Sequence, residues 1–172
     1  MKIHVSNSLE QTTEIATEWL SGLANSVENS RSINLNSGLE REATLVGLSG
    51  HLGAGKTAFV KSIAKVLGVQ GEITSPTYVI MKMYGINKRY STVKSSIESI
   101  PYPWKRLVHI DAYRLEKYEE LEVLGWEQLI ADAGNLIIVE WPENAGIDRN
   151  KNPELIELGF EIVDDKYNIK EV

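Results

Sequence analysis

Eight consecutive residues carry the clearest chemistry in this chain. Gly50-His51-Leu52-Gly53-Ala54-Gly55-Lys56-Thr57 fits the pattern G-x-x-x-x-G-K-[ST]. A loop of this composition wraps a chain of phosphates. Its glycines allow close approach of the backbone and the positive φ angles that aim successive N–H groups at one spot. Lys56 would reach the β- and γ-phosphates, and the Thr57 hydroxyl would ligate Mg²⁺. Such a site also needs a carboxylate to hold the metal or position water. Two acids qualify, Asp111 and Glu140, because each closes an apolar run in which an unpaired charge would be costly to bury. Each could equally be the first solvated residue after its strand. Thr74-Ser75-Pro76-Thr77 offers hydroxyls of the kind that sense a γ-phosphate, although a proline turn explains it as well. Arg114, three residues beyond Asp111, could neutralise phosphate charge or make a surface ion pair. Trp126 and Trp141 read as packing.

These residues need elements to hold them. Ala43 to Leu48 is a short apolar run that ends at the glycine-rich stretch, as a buried parallel strand would. After Thr57, the apolar positions 59, 60, 63, 66 and 67 repeat with helical spacing and stop at Gly68. The loop therefore lies between a strand and a helix, where a phosphate loop belongs. Leu107 to Asp111 and Leu136 to Glu140 are two further apolar strands, each ending in its acid. Upstream, residues 1–5 alternate as a short strand. Ser8 with Gln11 suggests a capping box opening a helix to about residue 24, and residues 25–42 read as a polar loop. Residues 72–77 form a connector and Tyr78 to Tyr84 a strand. Glu119 to Leu124 and Trp126 to Ala133 predict short helices broken at Gly125. Ile156, Leu158, Phe160 and Ile162 alternate with polar residues, then Asp164-Asp165-Lys166 turns into a last strand. The expected fold is α/β: a mostly parallel sheet flanked by helices, with an antiparallel C-terminal edge hairpin.

Composition excludes several alternatives. The 172 residues fit one domain. With no cysteine, disulfides, thiol catalysis and Cys-ligated zinc are ruled out. His4, His51 and His109 are far apart in sequence, which makes zinc improbable. No apolar run approaches the roughly 18 residues of a membrane span, and the N-terminus lacks a signal-peptide core, so a cytoplasmic location is expected by default. The net charge is −6. It is unevenly spread: residues 82–106 carry six basic side chains against Glu98, a local +5. Residues 85–106 are irregular, with Pro101 and Pro103.

The ordered set G-H-L-G-A-G-K-T-A-F-V-K, T-S-P-T-Y, H-I-D-A-Y-R-L, L-G-W-E and V-E-W-P-E resembles the bacterial TsaE family, also called YjeE. The resemblance runs from about Ser8 to the C-terminal hairpin. It implies a P-loop ATPase fold, weak ATP hydrolysis alone, and action with a TsaD–TsaB pair in threonylcarbamoylation of tRNA adenosine 37. The carbamoyl transfer itself would belong to TsaD. By this likeness Gly50 to Thr57, continued by Ala58, holds the nucleotide, with Leu52, Gly53, Ala54 and Gly55 forming the loop. Lys56 would sit on the phosphates, Thr57 on Mg²⁺, and Thr74, Ser75, Pro76 and Thr77 in a switch-like loop. Asp111 would be the acid of the H-x-D-x-Y-R motif. Glu140 would be the Walker B acid, with Trp141 beside it.

The chain departs from the family pattern at His51, at Ala58 and in the length of residues 85–106. That insertion reads either as a solvated surface loop or, from its charge with Tyr90, Tyr102 and Trp104, as a contact for tRNA phosphates or an acidic partner. Other readings stay open. A small-molecule or nucleotide kinase would use Asp111 as base and Arg114 on the transferred phosphate. A GTP switch would need N-K-x-D, and Asn87-Lys88-Arg89-Tyr90 lacks the Asp. A nucleotide-dependent scaffold would need no catalysis.

Overall fold

In a computed structural model, which describes residues 2–34, 42–71, 73–76, 78–87 and 102–172, seven strands share one sheet. They are β1 (Ile3–Ser6), β2 (Thr44–Gly50), β3 (Met81–Gly85), β4 (Arg106–Asp111), β5 (Asn135–Glu140), β6 (Ile156–Val163) and β7 (Lys166–Glu171). Their spatial order is β1-β7-β6-β2-β5-β4-β3. The inner strands β6, β2, β5 and β4 run parallel to one another, and every residue of β5 is buried, as a strand covered on both faces requires. The hairpin β6–β7 is antiparallel, with β1 added outside it, and β3 pairs antiparallel with β4 at the other edge. The hairpin turn is Asp164-Asp165, with φ of 51° and 59°; two successive left-handed residues make the tight turn that matches strand twist.

Helices cover both faces. α1 (Leu9–Asn34) and α2 (Lys56–Val66) lie on one, over Leu48, Leu107, Leu136 and Ile138. The rings of Trp19, Phe59 and Phe160 meet edge-on at 5.7 and 5.5 Å and tie α1, α2 and β6 together. The short α3 (Glu119–Glu122) and α4 (Trp126–Ile130) lie on the other face, over Val108, Ile110, Ile137 and Val139. Side chains alternate along a strand. The α2 face therefore receives Leu107, His109 and Asp111 from β4, and Leu136, Ile138 and Glu140 from β5. That period of two delivers both candidate acids to the side of the sheet where the glycine loop enters α2.

Several boundaries differ from the sequence expectation. α1 runs ten residues beyond residue 24, because a helix needs only a sparse apolar stripe: Val27 still packs on the core while Asn25, Ser26 and Glu28 face solvent. Its start does use Ser8 and Gln11. The Gln11 N–H donates to Ser8 Oγ at 3.2 Å, while the Gln11 side chain accepts from Asn7 N–H at 2.7 Å, one residue upstream of the usual box. β3 starts at Met81 rather than Tyr78. Val79 and Ile80 both donate to the Pro76 carbonyl, at 2.8 and 2.6 Å, and Ile80 sits at φ 65°. The chain must turn there before it can pair. α4 ends at Ile130, three residues before Ala133.

The insertion needs a larger correction. Most of it, residues 88–101 with Tyr90, lies outside the described residues. Tyr102 and Trp104 are not exposed stacking groups: they are 6% and 0% exposed and stack on each other at 6.3 Å in the core. The Trp104 indole donates to Thr44 Oγ1 at 2.8 Å, and the Tyr102 hydroxyl bonds Ser21. Of the flanking basic residues, Arg106 pairs with Asp132 and Asn135, and Lys82 bonds Thr74. Among the described residues, no helix is long and apolar enough to cross a membrane.

Candidate functional site: a glycine-rich loop beside two carboxylates

Residues 50–55 leave the carboxyl end of β2 and enter α2, and three glycines make the path possible. Gly50, Gly53 and Gly55 have φ of 135°, 81° and 99°, a region where side chains are strained. At Gly50 space forbids anything else as well: an added Cβ would stand 2.1 Å from the Phe160 carbonyl oxygen of β6. The loop therefore presses against its neighbouring strand, and its shape is fixed from outside. The loop leads into the N-terminus of α2, whose positive end favours an anion.

Lys56, first residue of α2, is only 4% exposed. Its Nζ donates to the carbonyls of Gly50, at 2.5 Å, and His51, at 2.9 Å, and lies 3.8 Å above the Trp141 ring. Burial pulls its pKa down, while Glu140, Glu143 and Asp111 pull it back up. Trp141 reaches this position by an unusual backbone. It sits at φ 59°, held by its N–H on the Leu48 carbonyl at 3.0 Å and by the Tyr113 ring at 5.3 Å. It therefore lies against Lys56, whereas Trp126 is buried in the core on the far face.

Thr57 and the two acids come together. The Thr57 hydroxyl lies 2.9 Å from each oxygen of Glu140, a carboxylate 3% exposed. Asp111 stands directly opposite Glu140 in the β4–β5 register. It accepts from Tyr113 N–H at 3.1 Å and from Ser75 Oγ at 3.2 Å, so the segment after α2 reaches the acid through Ser75. Thr74 points to Lys82, the Pro76 carbonyl closes the turn before β3, and Thr77 lies outside the described residues. Arg114 is exposed, with its guanidinium 4.9 Å over the Tyr78 ring and not over the loop.

This donor set suits a hard cation. One hydroxyl and two carboxylates are all-oxygen ligands of the kind Mg²⁺ takes beside substrate phosphates. Among the described residues no cluster of three His, Cys, Asp or Glu could hold a metal unaided, so phosphate oxygens and water would have to complete the shell.

Three neighbours were given no role from the sequence, although His109 and Tyr113 fall in the H-x-D-x-Y-R motif. His109 is fully buried, with Nε2 2.8 Å from Glu140 Oε1. Glu143 accepts from Ser49 Oγ at 3.2 Å and adds to the field at Lys56. Tyr113 supports Trp141. A polar residue on the inward alternation of an apolar strand was the available signal for His109.

On the other side of the loop lies a cleft of about 330 Å³. Leu9, Gly53, Gly55, Ala58, Phe160 and Tyr167 line most of it, with Ser8 and Thr12 at the start of α1. Its walls are largely apolar, and none of them is an acid.

Comparison with known proteins agrees with this geometry. A family model described as "Threonylcarbamoyl adenosine biosynthesis protein TsaE" matches residues 6–169. Curated relatives carry the name "tRNA threonylcarbamoyladenosine biosynthesis protein TsaE". The one from Borreliella burgdorferi is 35% identical over 117 residues, covering 67% of this chain and 72% of that protein. The one from Streptomyces coelicolor is 40% identical over 106 residues, 61% of each chain. The crystal structure of Bacillus subtilis YdiB superposes with a TM-score of 0.55 at 21% identity, covering 98% of this chain and 82% of that one, and so shares the fold.

Proposed function

The chain belongs to the TsaE family, whose members serve threonylcarbamoyladenosine biosynthesis, and from that premise we propose that it binds Mg²⁺–ATP and hydrolyses it slowly in support of a TsaD–TsaB pair. The observation that carries this reading is the meeting of Thr57 with Glu140 at 2.9 Å, beside a buried Lys56. A loop that only gripped phosphate would not need a buried carboxylate aimed at its metal-ligating hydroxyl. Lys56 would exchange the Gly50 and His51 carbonyls for the β- and γ-phosphate oxygens. Thr57 and Asp111 would hold Mg²⁺, which when bound neutralises phosphate charge. Glu140 would orient a water and take its proton. The new water–phosphorus bond forms as the bond to the β–γ bridging oxygen breaks, leaving ADP and phosphate. The adenine would lie in the apolar cleft, against Tyr167 and Phe160, because that is where a base attached to phosphates in the loop finds walls without charge.

The kinase alternative has less support. It requires an arginine on the transferred phosphate, yet Arg114 lies on Tyr78. The deciding experiment is ATP hydrolysis by the purified protein, alone and with the TsaD–TsaB pair of the same organism. Stimulation by the pair that is lost in Glu140→Ala supports the proposal. Turnover indifferent to the pair contradicts the coupling, and transfer of labelled phosphate to an acceptor would move the protein to the kinases.

A further inference from the structure

His109 occupies an interior position that packing alone would give to an apolar residue, as Leu107, Val108 and Ile110 around it show. An imidazole there pays a desolvation cost that only a bond can offset. The bond it makes is specific. The β4–β5 register sets His109 opposite Ile138 and Asp111 opposite Glu140, so the ring reaches diagonally, one position along the same face. It ends with Nε2 2.8 Å from Glu140 Oε1. A carboxylate only accepts, so Nε2 carries the hydrogen. The other ring nitrogen, Nδ1, is buried with no partner among the described residues.

The Thr57 contact leaves something undecided that this bond decides. Thr57 lies 2.9 Å from both oxygens of Glu140, and so does not distinguish them. The last torsion of a glutamate is broad and two-fold, so one equidistant hydroxyl cannot fix the carboxylate plane. His109 singles out Oε1. We propose that His109 is a positioning residue whose Nε2–H pins Oε1 of Glu140, orienting the carboxylate so that Oε2 is the oxygen that receives the proton of the attacking water. This rests on the hydrolytic role given to Glu140 above.

The test compares His109→Leu, His109→Asn and His109→Gln in the full chain, with folding checked by circular dichroism and thermal melting. A Gln amide can place its N–H where Nε2 stands; an Asn amide falls near Nδ1, and Leu has no donor. The expected result is nucleotide affinity within about threefold of wild type in all three, with kcat about tenfold or more lower for Leu and Asn and largely restored for Gln. A folded Leu variant with wild-type kcat, or Gln and Asn variants equally slow, would overturn the proposal. A second readout does not depend on turnover: ¹⁵N NMR of the histidines in the wild-type chain should show a hydrogen on Nε2 of His109, with a resonance that shifts in Glu140→Gln. An Nδ1–H form, or a resonance indifferent to Glu140→Gln, would sink it whatever the folding of the variants. A wild type that shows this NMR signature but hydrolyses no ATP would contradict the proposed function and leave the contact itself established.

Discussion

The two sides of the glycine-rich loop are built on opposite principles. Toward β4 and β5 the surroundings are polar, buried and already bonded: Glu140 holds Thr57 and His109, and Asp111 holds Ser75 and the Tyr113 N–H. Toward the hairpin and the start of α1 they are apolar and open, a cleft walled by Leu9, Phe160 and Tyr167. Directional bonds fix angles and charges, which phosphate chemistry needs. An apolar cleft fixes only shape, which suffices to seat a ring. The loop sits where the two meet, and Gly50 is the hinge between them, on β2 yet against the Phe160 carbonyl of β6.

The contrast can be broken from either side. Lys56→Ala should have the largest effect, weakening ATP binding by about a thousandfold, since charge-assisted bonds to two phosphates are each worth about 1.5–3 kcal/mol. Isothermal titration calorimetry measures this, and an unchanged Kd would remove Lys56 from the phosphate site. Gly50→Ala should come next. Its Cβ meets backbone rather than a movable side chain, so the loop must part from β6, at a cost of about 2–4 kcal/mol. A denaturant melt reads that cost, and both halves of the site should suffer together. Tyr167→Ala should be the mildest, lowering ATP affinity by about fivefold while leaving kcat at saturation unchanged, because the base side binds without touching the chemistry. A fall in kcat without a change in KM would show that the two sides are not separable in this way.

Legibility in the sequence followed the same division. The loop, Lys56, Thr57 and both acids were readable because their chemistry restricts residue type and because each acid ends an apolar strand. The parallel core was readable because strands buried on both faces give continuous apolar runs. The cleft was not, since Leu9, Phe160 and Tyr167 are ordinary apolar residues until the chain order β1-β7-β6-β2 brings α1 and the hairpin beside the loop. Trp141 was read as packing from its type and set beside Glu140 only by the family resemblance, because nothing local announces its left-handed backbone. Tyr102 and Trp104 were read as exposed because the basic, proline-containing segment around them looks solvated. Long-range contacts with Thr44 and Ser21 decide otherwise.

The central claim is that the polar side performs hydrolysis and that Glu140 carries it. The most direct measurement is Mg²⁺-dependent ATP turnover in Glu140→Gln beside wild type, with ATP affinity measured on the same samples. The account predicts affinity within a fewfold of wild type and turnover lower by about a hundredfold or more. Turnover at the wild-type rate in Glu140→Gln would contradict it.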